Sequence, residues 1–229
     1  MITSNVDTIM TDTTVKNAQN PIEAAMRLGP VMPVVTITDP NQAVPLAQAL
    51  VAGGVRAIEV TLRTACALEA IRMIAAEVPD AVVGAGTIIE PQQIEAAMRA
   101  GARFLVSPGA TERLIAAAGQ SGAPLLPGAA TASEAMRLLE AGFAFQKFFP
   151  AAASGGAAAL AALAGPLPQI GFCPTGGISA QDAPTYLKLK NVLCVGGSWL
   201  TPADALATGD WDRIRLLALA TAALRPTLT

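Results

Sequence analysis

Lys147 stands in Phe143-Ala144-Phe145-Gln146-Lys147-Phe148-Phe149-Pro150, the most aromatic stretch of a 229-residue chain that has only Lys16, Lys147, Lys188 and Lys190 as lysines. Burial disfavours the charged form of an amine, so an ammonium flanked on its own side of a strand by Phe145 and Phe149 should lose its proton more readily. A neutral amine can add to a ketone. The bland alternative is a lysine whose stem lies on apolar surface while its head reaches water. A second group, Glu59, lies in Ile58-Glu59-Val60-Thr61-Leu62-Arg63-Thr64 between apolar neighbours, which turns a carboxylate inward and demands a partner. Lys147 can be that partner, either in an ion pair kept for structure or in an acid–base pair. Arg63, Thr87 and Thr175 are the other polar residues that interrupt apolar runs at or just after strand ends, and Arg63 offers a forked donor suited to a carboxylate.

These groups need elements to place them. Beyond Pro21, short apolar runs alternate with longer amphipathic segments. The pattern predicts strands at Val31–Thr36, Ala57–Val60, Ala81–Ala85, Phe104–Val106, Leu125–Leu126, Phe145–Phe148, Ile170–Cys173 and Val192–Val195. Between them lie helical segments such as Asn41–Ala52, Ala65–Val78, Pro91–Ala100 and Thr131–Ala141, several ending at Gly. Such alternation implies parallel pairing, and eight units in this length imply an α/β fold, a single (β/α)8 barrel with an extra helix at Pro21–Leu28. An open doubly wound sheet is the alternative. In a barrel the chemistry sits at the C-terminal strand ends, where each of these polar residues falls.

Two glycine turns follow the last two predicted strands: Pro174-Thr175-Gly176-Gly177-Ile178-Ser179 and Gly196-Gly197-Ser198-Trp199. Backbone amides of Gly176, Gly177, Gly196 and Gly197, with the Ser198 hydroxyl, form a donor set suited to a phosphate at the place where barrels often hold one. Either turn alone could serve only as a turn. Gly84-Ala85-Gly86-Thr87 lacks the third glycine of a dinucleotide fingerprint.

Composition narrows the classes. The chain is 52% hydrophobic and 14% charged, with a net charge of -2, a pI near 5.2 and a mean hydropathy of +0.48. No basic stripe is available for nucleic acid, and Gly, Pro and charges break every apolar run before it could span a membrane. Residues 1–20 are polar and read as a flexible arm rather than a secretory signal, with the catalytic domain over 21–229. Cys66, Cys173 and Cys194 are separated in sequence and form no CxxC pair, and there is no histidine. That argues against disulfides, a zinc site or a histidine-based triad, and fits a reducing cytoplasm.

Glu59-Val60-Thr61-Leu62-Arg63-Thr64, Gly84-Ala85-Gly86-Thr87, Ser107-Pro108-Gly109, Lys147-Phe148-Phe149-Pro150-Ala151, Phe172-Cys173-Pro174-Thr175-Gly176-Gly177-Ile178 and Gly196-Gly197-Ser198-Trp199 occur in one order over Pro21 to Leu224. Together they resemble the class I 2-keto-3-deoxy-6-phosphogluconate (KDPG) and 4-hydroxy-2-oxoglutarate aldolases. The departures are the polar arm and Phe145-Gln146. The resemblance implies that Lys147 forms the Schiff base and Glu59 is the general acid/base. It implies that Arg63 and Thr87 hold the pyruvate carboxylate, that Pro108, Phe149 and Thr175 shape the wall beside it, and that the glycine turns bind phosphate. The implied reaction is Entner–Doudoroff cleavage of KDPG to pyruvate and D-glyceraldehyde 3-phosphate by a cytoplasmic homotrimer without cofactor or metal, with side activity on 4-hydroxy-2-oxoglutarate. Thr175 favours the gluconate substrate over its galactonate epimer, since galactonate-specific relatives tend to carry an apolar residue there. Competing readings are a related aldolase acting on the galactonate epimer (2-dehydro-3-deoxy-6-phosphogalactonate) or on 4-hydroxy-2-oxoglutarate with the same Lys and Glu, a phosphosugar isomerase in which Lys147 acts only electrostatically, and a non-catalytic phosphometabolite-binding protein.

Overall fold

The structure, a computed structural model, describes residues 20–224. Its strands are β1 (Val31–Val35), β2 (Ala57–Thr61), β3 (Val82–Gly86), β4 (Leu105–Val106), β5 (Leu125–Leu126), β6 (Gly128–Ala129), β7 (Phe145–Phe148), β8 (Gly171–Pro174) and β9 (Val195–Gly197). The helices are α1 (Pro21–Met26), α2 (Ala43–Ala52), α3 (Ala67–Glu77), α4 (Pro91–Arg99), α5 (Glu112–Ser121), α6 (Ala132–Glu140), α7 (Gly156–Ala164), α8 (Ala183–Leu187), α9 (Ala203–Thr208) and α10 (Trp211–Ala222). The architecture is α/β with a curled parallel sheet. Pairing runs β5-β4-β3-β2-β1-β9 in one set and β6-β7-β8 in the other.

Pro127 explains the break between the sets. It has no N–H to donate to a ladder, so the fifth predicted strand, Leu125–Leu126, ends before it and a further strand, β6, which the sequence pattern did not predict, follows it. Leu125 and Leu126 pair with Leu105 and Val106, whereas Gly128 and Ala129 pair with Lys147 and Phe148. The eighth predicted strand also changes. Asn191 and Leu193 bond to Phe172 of β8, and only from Val195 does the chain pair regularly with β1. The predicted span of Val192–Val195 is therefore the crossing between two neighbours, and the regular strand begins where it was expected to end.

Side chains alternate across each strand. Val31, Val35, Ile58, Val60, Val83, Leu105, Phe148, Phe172 and Val195 face the helices and pack with Leu46, Leu50, Ile71, Ile74 and Ile214. Met32, Ala57, Phe104, Val106, Leu126, Cys173 and Cys194 face inward and form a second cluster with Ile22, Ala25 and Met26 of α1. Because Met32 and Ala57 lie at strand starts, α1 covers the N-terminal end of the sheet. It starts cleanly, with Pro21 in its first turn and the Asn20 side chain accepting from the Ile22 amide at 2.9 Å. Asn20, assigned to the arm in the sequence, thus caps a helix. Lys16 and the rest of the arm lie outside the described residues.

The inner cluster also dictates Gly84. A Cβ there would overlap the Phe104 ring, itself 1% exposed. Gly84→Ala is therefore expected to lower stability by about 1–3 kcal/mol through over-packing, seen as a lower thermal midpoint. An unchanged midpoint would show that the ring moves aside freely.

Candidate active site

Glu59 and Lys147 meet above the inner cluster, where the next inward positions of β2 and β7 are polar. Lys147 Nζ donates to Glu59 Oε1 at 3.2 Å and to Oε2 at 3.4 Å. Both residues are buried, at 4% and 2% exposure, so the pair is withdrawn from water and from screening salt. The Phe149 ring centroid lies 5.4 Å from Nζ, within cation–π range. Phe145, the other expected neighbour, packs lower down against the inner cluster. Gln146 points away from the site, its amide donating to the carbonyls of Ala135 and Phe143 at 2.9 Å each. That separates the unusual Gln146 from the lysine it precedes.

Arg63 follows β2 and donates from Nε to Thr87 Oγ1 at 3.0 Å, which fixes the guanidinium plane. Thr87 is the one non-glycine described residue with positive φ, at 62°. A β-branched residue held there stores about 1–3 kcal/mol of strain, a cost that accumulates where a side chain must be aimed. Thr64 and Cys66 tie the same loop to the segment after β1 by bonds to the Ile37 carbonyl at 2.6 and 3.3 Å.

Lys147, Arg63, Phe149, Thr175, Gly176, Gly177, Gly196, Gly197 and Ser198 line one cavity of about 200 Å³, together with Val34, Thr36 and Ile178. Gly176 and Gly177 have φ of 101° and 72°, a backbone that lets the turn fold back beside Phe149 without a side chain in the way. Thr87 reaches this cavity through Arg63, and Glu59 through Lys147. Pro108 is placed differently from the expectation. It does not line the cavity, and its carbonyl packs so closely on Gly128 that a Cβ there would overlap it. A larger groove of about 1150 Å³ lies by α1 at the opposite end of the strands, but its lining holds neither a lysine nor a carboxylate.

The cysteines also differ from the expectation of scattered thiols. All three are free, yet Cys173 and Cys194 sit together in the inner cluster. The hydrogen bond between them lowers the Cys173 thiol from its ordinary value and, together with burial, raises Cys194 well above it. Among the described residues no group of three or more Cys, Asp or Glu could hold a metal ion, and no helix is long and apolar enough to cross a membrane.

A buried lysine–carboxylate pair, a fixed arginine and a glycine-lined recess at the strand ends is a site that can form an imine, hold a carboxylate and accept a phosphate. The family model described as KDPG and KHG aldolase matches residues 22–217. The chain belongs to this aldolase family. It is 57% identical over 203 residues to the 2-dehydro-3-deoxy-phosphogluconate aldolase of Dickeya dadantii, covering 89% of this chain and 95% of that one. The KDPG aldolase of Legionella pneumophila, solved with pyruvate captured as a covalent carbinolamine, superposes with a TM-score of 0.86 at 46% identity, covering 88% of this chain and 98% of that one. The Zymomonas mobilis KDPG aldolase solved with 3-phosphoglycerate gives a TM-score of 0.84 at 48% identity, covering 90% and 97%.

Val34, Thr36 and Ile178 were not singled out from sequence. For Thr36 the signal was present: a polar residue ending the apolar run of strand one, the same cue that marked Glu59.

Gly86 makes the aldolase pair possible. A Cβ there would overlap the Glu59 carboxylate. Gly86→Ala is expected to retain the wild-type far-ultraviolet circular dichroism while aldol-cleavage turnover falls at least ~10-fold, since general acid–base contributions run to ~100-fold or more. Turnover equal to wild type would show that Glu59 is free to move without consequence.

Proposed function

We propose that this chain is a class I aldolase that cleaves KDPG to pyruvate and D-glyceraldehyde 3-phosphate, with 4-hydroxy-2-oxoglutarate as a lesser substrate. The observation that carries the reading is the buried Lys147–Glu59 contact at 3.2 Å above the apolar inner cluster. Glu59 is in place to take the ammonium proton, which frees the amine to attack the C2 ketone. The same carboxyl group returns a proton as water leaves the carbinolamine, giving an iminium. Removal of the C4 hydroxyl proton by Glu59, directly or through water, lets the C3–C4 electron pair pass to the iminium. The aldehyde departs and an enamine remains. Protonation at C3 and hydrolysis then release pyruvate and restore Lys147.

Arg63, held by Thr87, binds the pyruvate carboxylate by its forked guanidinium. Phe149 and Thr175 wall the pyruvate half, with Pro108 supporting from outside the cavity. Amides of Gly176, Gly177, Gly196 and Gly197 and the Ser198 hydroxyl take the phosphate. Thr175, 6% exposed and bonded to the Cys173 carbonyl at 3.4 Å, supports the gluconate substrate in preference to the galactonate epimer.

We further read the strand circuit as a closed (β/α)8 barrel spanning one domain from residue 21, with α1 as its extra helix. Counting β5 and β6 as one strand interrupted at Pro127, and joining β8 to β9 through the bridges Phe172↔Val192 and Thr175↔Gly196, supports that reading. An Entner–Doudoroff role in the cytoplasm, a homotrimer, and catalysis without cofactor or metal complete the proposal. They follow from the family and the composition.

A turnover assay on KDPG tests the reading, and Ser198→Ala tests its phosphate end. Remote binding contributes to cleavage only of a substrate that has the remote group. The variant is expected to lose about 1.5–3 kcal/mol of kcat/KM on KDPG, the size of a hydrogen bond to a charged group, and little on 4-hydroxy-2-oxoglutarate. Equal losses on both would move the phosphate elsewhere.

A further inference from the structure

Thr36 borders the cavity from the end of β1, and its hydroxyl belongs to a chain whose direction is fixed. Thr36 Oγ1 lies 2.9 Å from Thr61 Oγ1. Thr61 Oγ1 in turn donates to the Val35 carbonyl at 3.0 Å. A hydroxyl has one proton and a carbonyl can only accept. Thr61 is fully buried, at 0% exposure, so its proton belongs on the Val35 oxygen. The only assignment that makes both contacts hydrogen bonds has Thr36 donating to Thr61 and Thr61 donating to Val35. Thr36 has then spent its proton. What it presents to the cavity is lone pairs, a neutral acceptor on the β1 rim; Thr175, whose hydroxyl donates to the Cys173 carbonyl, is a second one on the β8 side, and Arg63, Lys147 and the glycine amides donate.

Position narrows what such an acceptor reads. β1 lies between β2 and β9, with Val34 level with Glu59 and Pro33 level with Gly197. Thr36 is therefore on the rim between the strand that carries Glu59 and leads to Arg63 and the strand that leads to Ser198. A substrate held by its carboxylate at Arg63, its C2 at Lys147 and its phosphate at Ser198 passes its middle carbons across this rim. Two hydroxyls lie on that middle portion. The C4 hydroxyl gives its proton to Glu59, which leaves the C5 hydroxyl as the donor without a partner.

We propose that Thr36 is a specificity-determining residue that accepts a hydrogen bond from the C5 hydroxyl of the phosphorylated substrate. The proposal rests on the aldolase reading and adds a third recognition point between its carboxylate and phosphate ends. It distinguishes this substrate from chains that have a phosphate but no hydroxyl beside it.

The test compares KDPG with its 5-deoxy analogue, which keeps the carboxylate, ketone, C4 hydroxyl and phosphate. Thr36→Val keeps the branched shape and removes the acceptor. The ratio of kcat/KM for KDPG over the analogue is expected to fall about tenfold, the size of one hydrogen bond at the upper end for neutral partners. Thr36→Ser, which restores the hydroxyl, is expected to recover most of the ratio. Trapping with pyruvate and borohydride is run on every protein to report the site itself. A covalent adduct with a ratio that stays at the wild-type value, or with kcat/KM lost equally on both substrates, overturns the role of Thr36 alone. Absence of any adduct in the wild-type protein overturns the aldolase reading beneath it.

Discussion

The arrangement of this molecule depends on holding one ammonium and one carboxylate together where water is scarce. Removing one member of a buried pair leaves the other uncompensated, which costs about 3–5 kcal/mol in typical cases, yet the pair as a whole adds little stability over an apolar substitute. Its presence at Lys147 and Glu59 is therefore explained by chemistry better than by folding. The surroundings are consistent with that. Gly86 clears the space the Glu59 carboxylate fills, and Phe149 covers the ammonium from the cavity side. Below the pair, α1 and the ring of Phe104 fill the interior with apolar side chains.

In the proposed reading, the cavity around this pair divides its work along the substrate's length. One end is fixed by Arg63, whose plane is set by a strained Thr87. The other end is made of backbone turns, where Gly176 and Gly177 have positive φ and Gly176 sits beside Phe149. Rigid groups at both ends let binding energy far from the reacting bond assist its cleavage.

The pair and its arginine were legible in the sequence because a charge inside an apolar alternation has few explanations. The strand order of the glycine turns was legible because turn chemistry is local. Cross-strand neighbours were not. Cys173 and Cys194 are 21 positions apart in number yet share the interior, since register and not sequence separation places β8 beside the chain leading into β9. The shift of the eighth strand and the split at Pro127 have the same origin: each depends on which neighbour supplies the ladder at a given residue. Pro108 was expected in the wall from its motif alone, and a motif position does not say which residues line the cavity. Thr36 was passed over although its run ended on a polar residue, because a lone threonine at a strand end is ordinary until its bonding partner is known.

The most direct measurement of the central claim is to incubate the protein with pyruvate, reduce with borohydride and map the modified peptide. The account predicts a single stable adduct on Lys147, the lysine buried against Glu59. Labelling at Lys16, Lys188 or Lys190 instead, or a protein that turns over KDPG yet traps no pyruvate, would contradict it.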